Sequence, residues 1–322
     1  MGTMTFGSQC DKTEAFAIMD KAYEAGINFF DTAELYPVPP NEKTAGITES
    51  IVGQWLKTKP RDSIILATKV AGAANGWFVP PIRHGLTAID RFHIQRAVEG
   101  SLKRLGTDYI DLYQVHWPDT IIPIEESLEA LDSLVRSGKV RYIGTSNDSA
   151  YGLTKANERA QFFGFKRFES IQNNFSLLNP RFLDELAHVC KEEKISLLPY
   201  SPLAGGVLTG KYNGEFFPKD ARFSKYLSHN NPRVKAQASR FVNSKTLDAT
   251  ARYQALAKEI GMDVTTLATA WSMHHDFVAS SIIGATNAKQ LDATLKALHV
   301  KLDKSTLDAI KDIQNEILYP MG

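Results

Sequence analysis

Along the chain, short runs rich in β-branched and other apolar residues alternate with longer stretches in which apolar positions recur every three or four residues. The short runs are Ile27–Asp31, Ser63–Val70, Ile110–His116, Lys139–Thr145, Phe168–Asn173, Ile195–Tyr200 and Ala279–Gly284. Between them, Phe16, Met19 and Tyr23 share one helical face, as do Ile94, Ala97, Val98, Leu102 and Leu105, and again Leu128, Leu131, Leu134 and Val135. That spacing predicts amphipathic helices. Gly106, Gly138 and Gly261 stand where such helices should stop. Seven strands, each followed by a helix, must pair in parallel, and the N-terminal residues have to supply an eighth. The pattern therefore predicts an α/β fold, a (β/α)8 barrel in one domain over residues 1–322. Met1–Thr5 would be only the tail of its first strand. A stretch from about 201 to 243, rich in Gly, Pro, Asn and Lys, reads as one long irregular loop.

In such barrels the reactive groups sit at the C-terminal strand ends, so the polar residues that close each run are the candidates. Asp31 closes one run and is followed by Thr32, Ala33, Glu34, Leu35 and Tyr36. Lys69 closes the next and His116 the one after. Ser146 and Asn147, then Gln172 and Asn173, then Tyr200 and Ser201 follow.

Composition narrows the field of functions. Lys and Arg number 37 against 36 Asp and Glu, so a net charge of +1 gives no electrostatic pull toward nucleic acid or an anionic membrane. Two cysteines, Cys10 and Cys190, are too few for a disulfide scaffold or a zinc site. No apolar run approaches the roughly 20 residues that cross a bilayer. No targeting signal stands at the N-terminus, and the expected location is the cytoplasm. A single strand-end histidine argues against a metal-dependent barrel isomerase or hydrolase, and no metal site is expected.

Asp, Tyr, Lys and His at one rim suit carbonyl reduction. Hydride delivery to a C=O group leaves an alkoxide that needs a proton, and a tyrosine with a pKa of about 10 is a poor donor at neutral pH. A neighbouring ammonium stabilises the phenolate. Lys69 would supply it, Asp31 would hold Lys69, and His116 would hydrogen-bond the substrate oxygen. Each residue has a plainer reading as a structural ion pair or a packed aromatic, but four such groups on consecutive strands favour chemistry.

The segments GINFFDTAELYPVPP (26–40), LATKV (66–70), SLKRLGTDYIDLYQVHWP (101–118), GKVRYIGTSN (138–147), IQNNFSLLN (171–179), LLPYSPLAGGVLTGKY (197–212) and IIGATNAKQL (282–291) resemble, in order and over nearly the whole chain, the aldo-keto reductase superfamily. The likeness is greatest to its bacterial Tas-like branch and extends to the potassium-channel β-subunit branch. The resemblance implies Asp31, Tyr36, Lys69 and His116 as a catalytic tetrad. It also implies a β-hairpin ahead of the first strand, for which this chain begins too late.

No GxGxxG follows a strand, so a Rossmann site is not indicated. Gly205-Gly206, and Gly284 with Ala285, Thr286 and Asn287, suit phosphate binding after the last two strands. The resemblance implies that Ser146, Asn147 and Gln172 hold the nicotinamide carboxamide and that Tyr200 stacks on the ring. It places Ser201, Leu203, Gly206 and Lys211 along the pyrophosphate, with Gly284, Thr286 and Gln290 at the adenosine phosphate. Thr3 and Met4, beside Asp31 and Gln9, line the nicotinamide end. Lys211 and Arg222 match cationic positions of the channel-subunit branch, which favours NADP(H) over NAD. Ala293 and Thr294 depart from the usual Glu-Asn at the adenine. Trp77, Phe78 and Trp117 would give the substrate pocket an apolar wall beside Tyr36 and His116. A small carbonyl compound is the expected partner. The alternative is a non-catalytic, cofactor-binding regulatory subunit like the channel β-subunits. Asp111, mid-strand, reads as a structural partner for a backbone amide or Arg141.

Overall fold

The computed structural model describes residues 1–74 and 79–321. Trp77 and Phe78 lie outside the described residues. Six strands, β1 Phe29–Asp31, β2 Ile65–Val70, β3 Ile110–Val115, β4 Val140–Ser146, β5 Ser170–Gln172 and β6 Ser196–Leu197, form one parallel sheet in chain order. Parallel neighbours need a crossover. Helices α1 Lys12–Glu24, α2 Ile47–Leu56, α3 Arg91–Leu105, α4 Ile124–Arg136 and α5 Ala150–Phe163 supply the first ones, each packing on the next. The central strands are buried on both faces, as parallel strands covered by helices must be.

Local sequence sets these helices. Asp90 caps α3 by accepting from the His93 N–H, and Gly106 ends the helix in the left-handed region at φ 64°. Ser149 caps α5 by accepting from Gly152 N–H. Leu128, Leu131 and Leu134 bury one face of α4. Asp111 accepts from the Leu66 N–H and pairs with Arg61 and Arg141, the structural role its mid-strand position suggests.

The chain divides into two compact units. The first holds Met1–Asn173, Val189–Leu198 and Gly284–Leu291; the second holds Asn174–His188, Pro199–Ile283 and Asp292–Gly322. Within the first, Gly2 bridges Asp31 in parallel on the free edge of β1, Thr3 donates from its N–H to Asp31 O at 3.0 Å, and Thr5 Oγ1 donates to Ala285 O at 2.9 Å. The N-terminal residues thus act as a strand in miniature.

The second unit departs from expectation in two ways. Of the run ending in Tyr200 only Ser196–Leu197 joins the sheet, and beyond it, as in the run ending in Gly284, there are only isolated bridges, Asn174 to Tyr200 and Tyr200 to Ile282. Pro199 has no N–H to extend the ladder and contributes only its carbonyl, which accepts from Ile282 N–H at 2.7 Å. The stretch expected to be irregular carries a 3-10 turn over Ala204–Thr209 and two helices, α7 Arg222–Leu227 and α8 Pro232–Phe241. They come after α6 Leu186–Glu193 and before α9 Ser244–Glu259 and α10 Val264–Met273. Asn231 caps α8 with proline at its first position, a helix start inside a polar sequence. His274 falls just past the end of α10.

Candidate active site

Strand register decides which side chains converge. Asp31 lies opposite Ala67, Lys69 opposite Gln114, Gln114 opposite Gly144, and Ser146 opposite Gln172. Residues two apart on a strand share a face, so Asp31, Lys69, Gln114, Ser146 and Gln172 all project to one side. Thr68 and Tyr113 project to the other; there Thr68 Oγ1 donates to the buried Glu49 at 2.6 Å.

At the centre, Lys69 Nζ donates to Asp31 Oδ2 at 2.6 Å and to Thr32 O at 2.8 Å. Lys69 is 0% exposed and Asp31 3%. Lys69 Nζ lies 5.1 Å from the centre of the Tyr36 ring. The His116 ring meets Tyr36 edge-on, with centroids 5.7 Å apart. Asp31, Tyr36, Lys69 and His116 thus form one cluster inside the first unit.

Burial and Asp31 both raise the Tyr36 pKa, so the resting side chain is a neutral phenol. This qualifies the expectation that Lys69 lowers it: the ammonium is committed to Asp31, whose negative charge opposes the phenolate. Burial lowers the Lys69 pKa while Asp31 works against that shift. Burial and then Lys69 push His116 well below its ordinary value, so the imidazole is neutral. Its Nδ1 is a buried atom with no hydrogen-bond partner among the described residues.

Asp31 Oδ1 accepts from Gln172 Nε2 at 2.8 Å and from Gln114 Nε2 at 3.2 Å. Gln114 was not among the sequence candidates, although it stands two residues before His116 and is the one uncharged polar side chain between apolar neighbours. Ser146 Oγ donates to Gln172 O at 2.7 Å, and Asn147 Nδ2 donates to His116 O at 2.9 Å from a backbone at φ 56°. Thr3 Oγ1 donates to Asp31 O. Met4 O accepts from Val38 N–H, and Gln9 Nε2 donates to Val38 O, tying the N-terminal residues to the loop after Tyr36.

Glu34, in that same loop, receives a bidentate pair from Arg83 at 2.6 and 2.9 Å and the Ala71 N–H at 2.8 Å. Arg83 escaped sequence reasoning because nothing near it in the chain marks its partner. Trp117 packs on His116 at 5.0 Å between centroids and donates from Nε1 to Ala73 O. It lies so close to Gly72 that a side chain there would collide with it.

The other cofactor candidates divide between the units. In the first, Asn287 caps the 3-10 turn Ala288–Gln290, Gln290 Oε1 accepts from Thr286 N–H, and Glu14 accepts from Ala288 N–H at 2.7 Å. Part of that turn's donor set is therefore already occupied by a carboxylate. Gly284 precedes it, where a Cβ would meet only Gly2 O, at 4.0 Å. In the second unit, Tyr200 and Ser201 follow Pro199, Leu203 opens the 3-10 turn, and Gly206 stands at φ 97°, where a Cβ would meet Lys211 Nζ. Burial and then Arg222 lower the Lys211 pKa, and burial lowers that of Arg222. Two desolvated cations that repel each other are what a phosphate would stabilise.

Among the described residues, no group of three or more His, Cys, Asp or Glu could hold a metal ion, and no helix is long and apolar enough to cross a membrane.

The parallel sheet thus carries a buried Lys–Asp pair, with a tyrosine and a histidine beside it at the strand ends. The Aldo/keto reductase family model matches residues 1–315, and the chain belongs to that family. It is 38% identical to "Protein tas" of Escherichia coli (strain K12) over 99% of this chain and 94% of that protein. It is 36% identical to the uncharacterized oxidoreductase YrpG of Bacillus subtilis, over 97% of this chain and 90% of that one. It is 33% identical to a probable voltage-gated potassium channel subunit beta of Oryza sativa subsp. japonica, over 92% and 85%.

Proposed function

We propose that the protein is an NADP(H)-dependent oxidoreductase, a single (β/α)8 barrel that reduces aldehydes or ketones to alcohols. The observation that carries this reading is the buried Lys69–Asp31 pair, with Lys69 Nζ 5.1 Å from the centre of the Tyr36 ring and the His116 ring edge-on to Tyr36. When bound, the cofactor supplies a hydride to the carbonyl carbon, and the C=O π electrons move to oxygen. Tyr36 gives that oxygen its phenolic proton and becomes a phenolate beside the Lys69 ammonium. The raised Tyr36 pKa keeps the donor protonated at rest, ready for the alkoxide that hydride delivery creates. Neutral His116 can donate a hydrogen bond to the substrate oxygen without competing for the proton.

The residues fit a nicotinamide nucleotide. Ser146, Asn147 and Gln172 would hold the carboxamide, with Thr3, Met4 and Asp31 beside it and Tyr200 on the ring. Ser201, Leu203, Gly206 and Lys211 would follow the pyrophosphate, and Arg222, Gly284, Thr286 and Gln290 the adenosine end. The two mutually repelling cations Lys211 and Arg222 support the 2′-phosphate form. Trp117 would wall the substrate site.

The test is oxidation of NADPH, followed by absorbance, with para-nitrobenzaldehyde as acceptor. Turnover that needs Tyr36 supports the enzyme. Tight NADPH binding without turnover of any aldehyde or ketone would favour the second reading, a regulatory subunit, to which the likeness to channel β-subunits points.

A further inference from the structure

The buried amides behind the tetrad carry an inference that none of the tetrad's own contacts requires. Gln114 is fully buried and Gln172 nearly so. A carboxylate only accepts hydrogen bonds, so both amides must turn their NH2 ends toward Asp31 Oδ1. Gln172 Nε2 has two hydrogens. One goes to Asp31 Oδ1 at 2.8 Å and the other to Gln114 Oε1 at 3.3 Å. Both are spent, so the only end of Gln172 left to engage a ligand is Oε1, which can only accept. A nicotinamide carboxamide offers an NH2 donor, the complement of that end.

Remove Gln114, and one Gln172 hydrogen has no acceptor. The amide is then held only by its bond to Asp31 Oδ1, and the energy gap between its two orientations narrows. We propose that Gln114 is a positioning residue: by donating to Asp31 and accepting from Gln172, it fixes the Gln172 amide with its oxygen toward the carboxamide of the cofactor. The same contacts hold the Asp31 carboxylate square to Lys69. Cofactor recognition and alignment of the proton donor's support then depend on one buried network, and neither can be disturbed alone. This rests on the nicotinamide reading above.

The experiment is a binding cycle for NADPH on the full chain, by fluorescence titration, with Gln114→Leu, Gln172→Leu and the double variant. Gln114→Leu should weaken NADPH by about 5- to 30-fold, as loss of one or two buried hydrogen bonds does. If Gln114 acts through Gln172, the double variant binds no more weakly than Gln172→Leu alone. Gln114→Glu gives a second signature. Its protonated carboxyl can donate to Asp31 and accept from Gln172 as the amide does, whereas its ionised form sets a second negative charge against Asp31. Its NADPH affinity should therefore match wild type at low pH and fall as pH rises, with no such fall in wild type.

Additive effects in the cycle, or unchanged NADPH affinity in Gln114→Leu with only a lowered melting temperature, overturn the proposal while leaving the cofactor reading intact. A wild-type chain that binds neither NADPH nor NADH overturns both.

Discussion

On the proposed mechanism Tyr36 and Lys69 have separable jobs: Tyr36 would supply a proton in the transition state and add little to holding a nucleotide. Tyr36→Phe should cut kcat by about 10²-fold or more, the ordinary worth of a general acid, with NADPH affinity close to wild type by fluorescence titration. A variant that keeps more than about a tenth of kcat would remove Tyr36 as the acid. Lys69→Met should be as damaging to turnover, and added alkylamine should not restore it fully, because the ammonium must be placed as well as charged. It also strands Asp31 in a buried site. Breaking such a pair costs about 3–5 kcal/mol, so denaturant unfolding should show a large loss that Asp31→Asn partly reverses in the double variant.

At the scale of an element, α3 packs on β2, the strand that carries Lys69, and its start is set by one side chain. Asp90 accepts from the His93 N–H at 2.7 Å and lies 2.9 Å from the His93 ring. Burial works against the Asp90 carboxylate, but the bonds from His93 outweigh it and hold the pKa below the ordinary value. A group whose folded pKa is depressed contributes stability above its unfolded pKa, about 3.9, and loses it as pH falls through the folded value. Asp90→Ala should therefore cost about 0.5–2 kcal/mol at neutral pH, and the gap from wild type should close below about pH 3.9. A gap unchanged down to acid pH in paired denaturation curves would mean that capping charge is not what Asp90 contributes.

At the scale of the whole molecule, the proposed NADP(H) preference would turn on the electrostatics of the second unit's cation pair, Lys211 and Arg222. NADPH should bind more tightly than NADH, and Arg222→Ala should narrow the gap by roughly 10- to 150-fold, the value of a charge-assisted contact of about 1.5–3 kcal/mol. Added salt should weaken NADPH more than NADH, since it screens the extra phosphate. Equal wild-type affinities in paired isotherms would sink the NADP assignment. A preference that survives Arg222→Ala would move the phosphate site toward Lys211 and the Thr286–Gln290 turn.

Periodicity along the sequence was enough to place β1 to β5, α3, α4 and their glycine stops, because a period of two or of 3.6 reflects a neighbourhood of a few residues. The candidates Asp31, Lys69 and His116 were legible for a related reason: a polar residue closing an apolar strand has few places to go but the rim. Three things were not legible. In a polar stretch, α8 starts from its Asn231 cap and Pro232, and α7, which has no side-chain cap, is held by packing on α8. The shortening of the last strands follows from a missing N–H at Pro199, which matters only once its neighbour is known. The roles of Gln114 and Arg83 depend on partners 83 and 49 residues away, Asp31 and Glu34. The sequence specifies such residues but not whom they meet; strand register decides that, because in a parallel sheet it alone brings Lys69 level with Gln114 and Ser146 level with Gln172. It was likewise burial, a tertiary property, and not residue type that set the resting state of Tyr36 as a neutral phenol, since removing water is what raises a phenol's pKa.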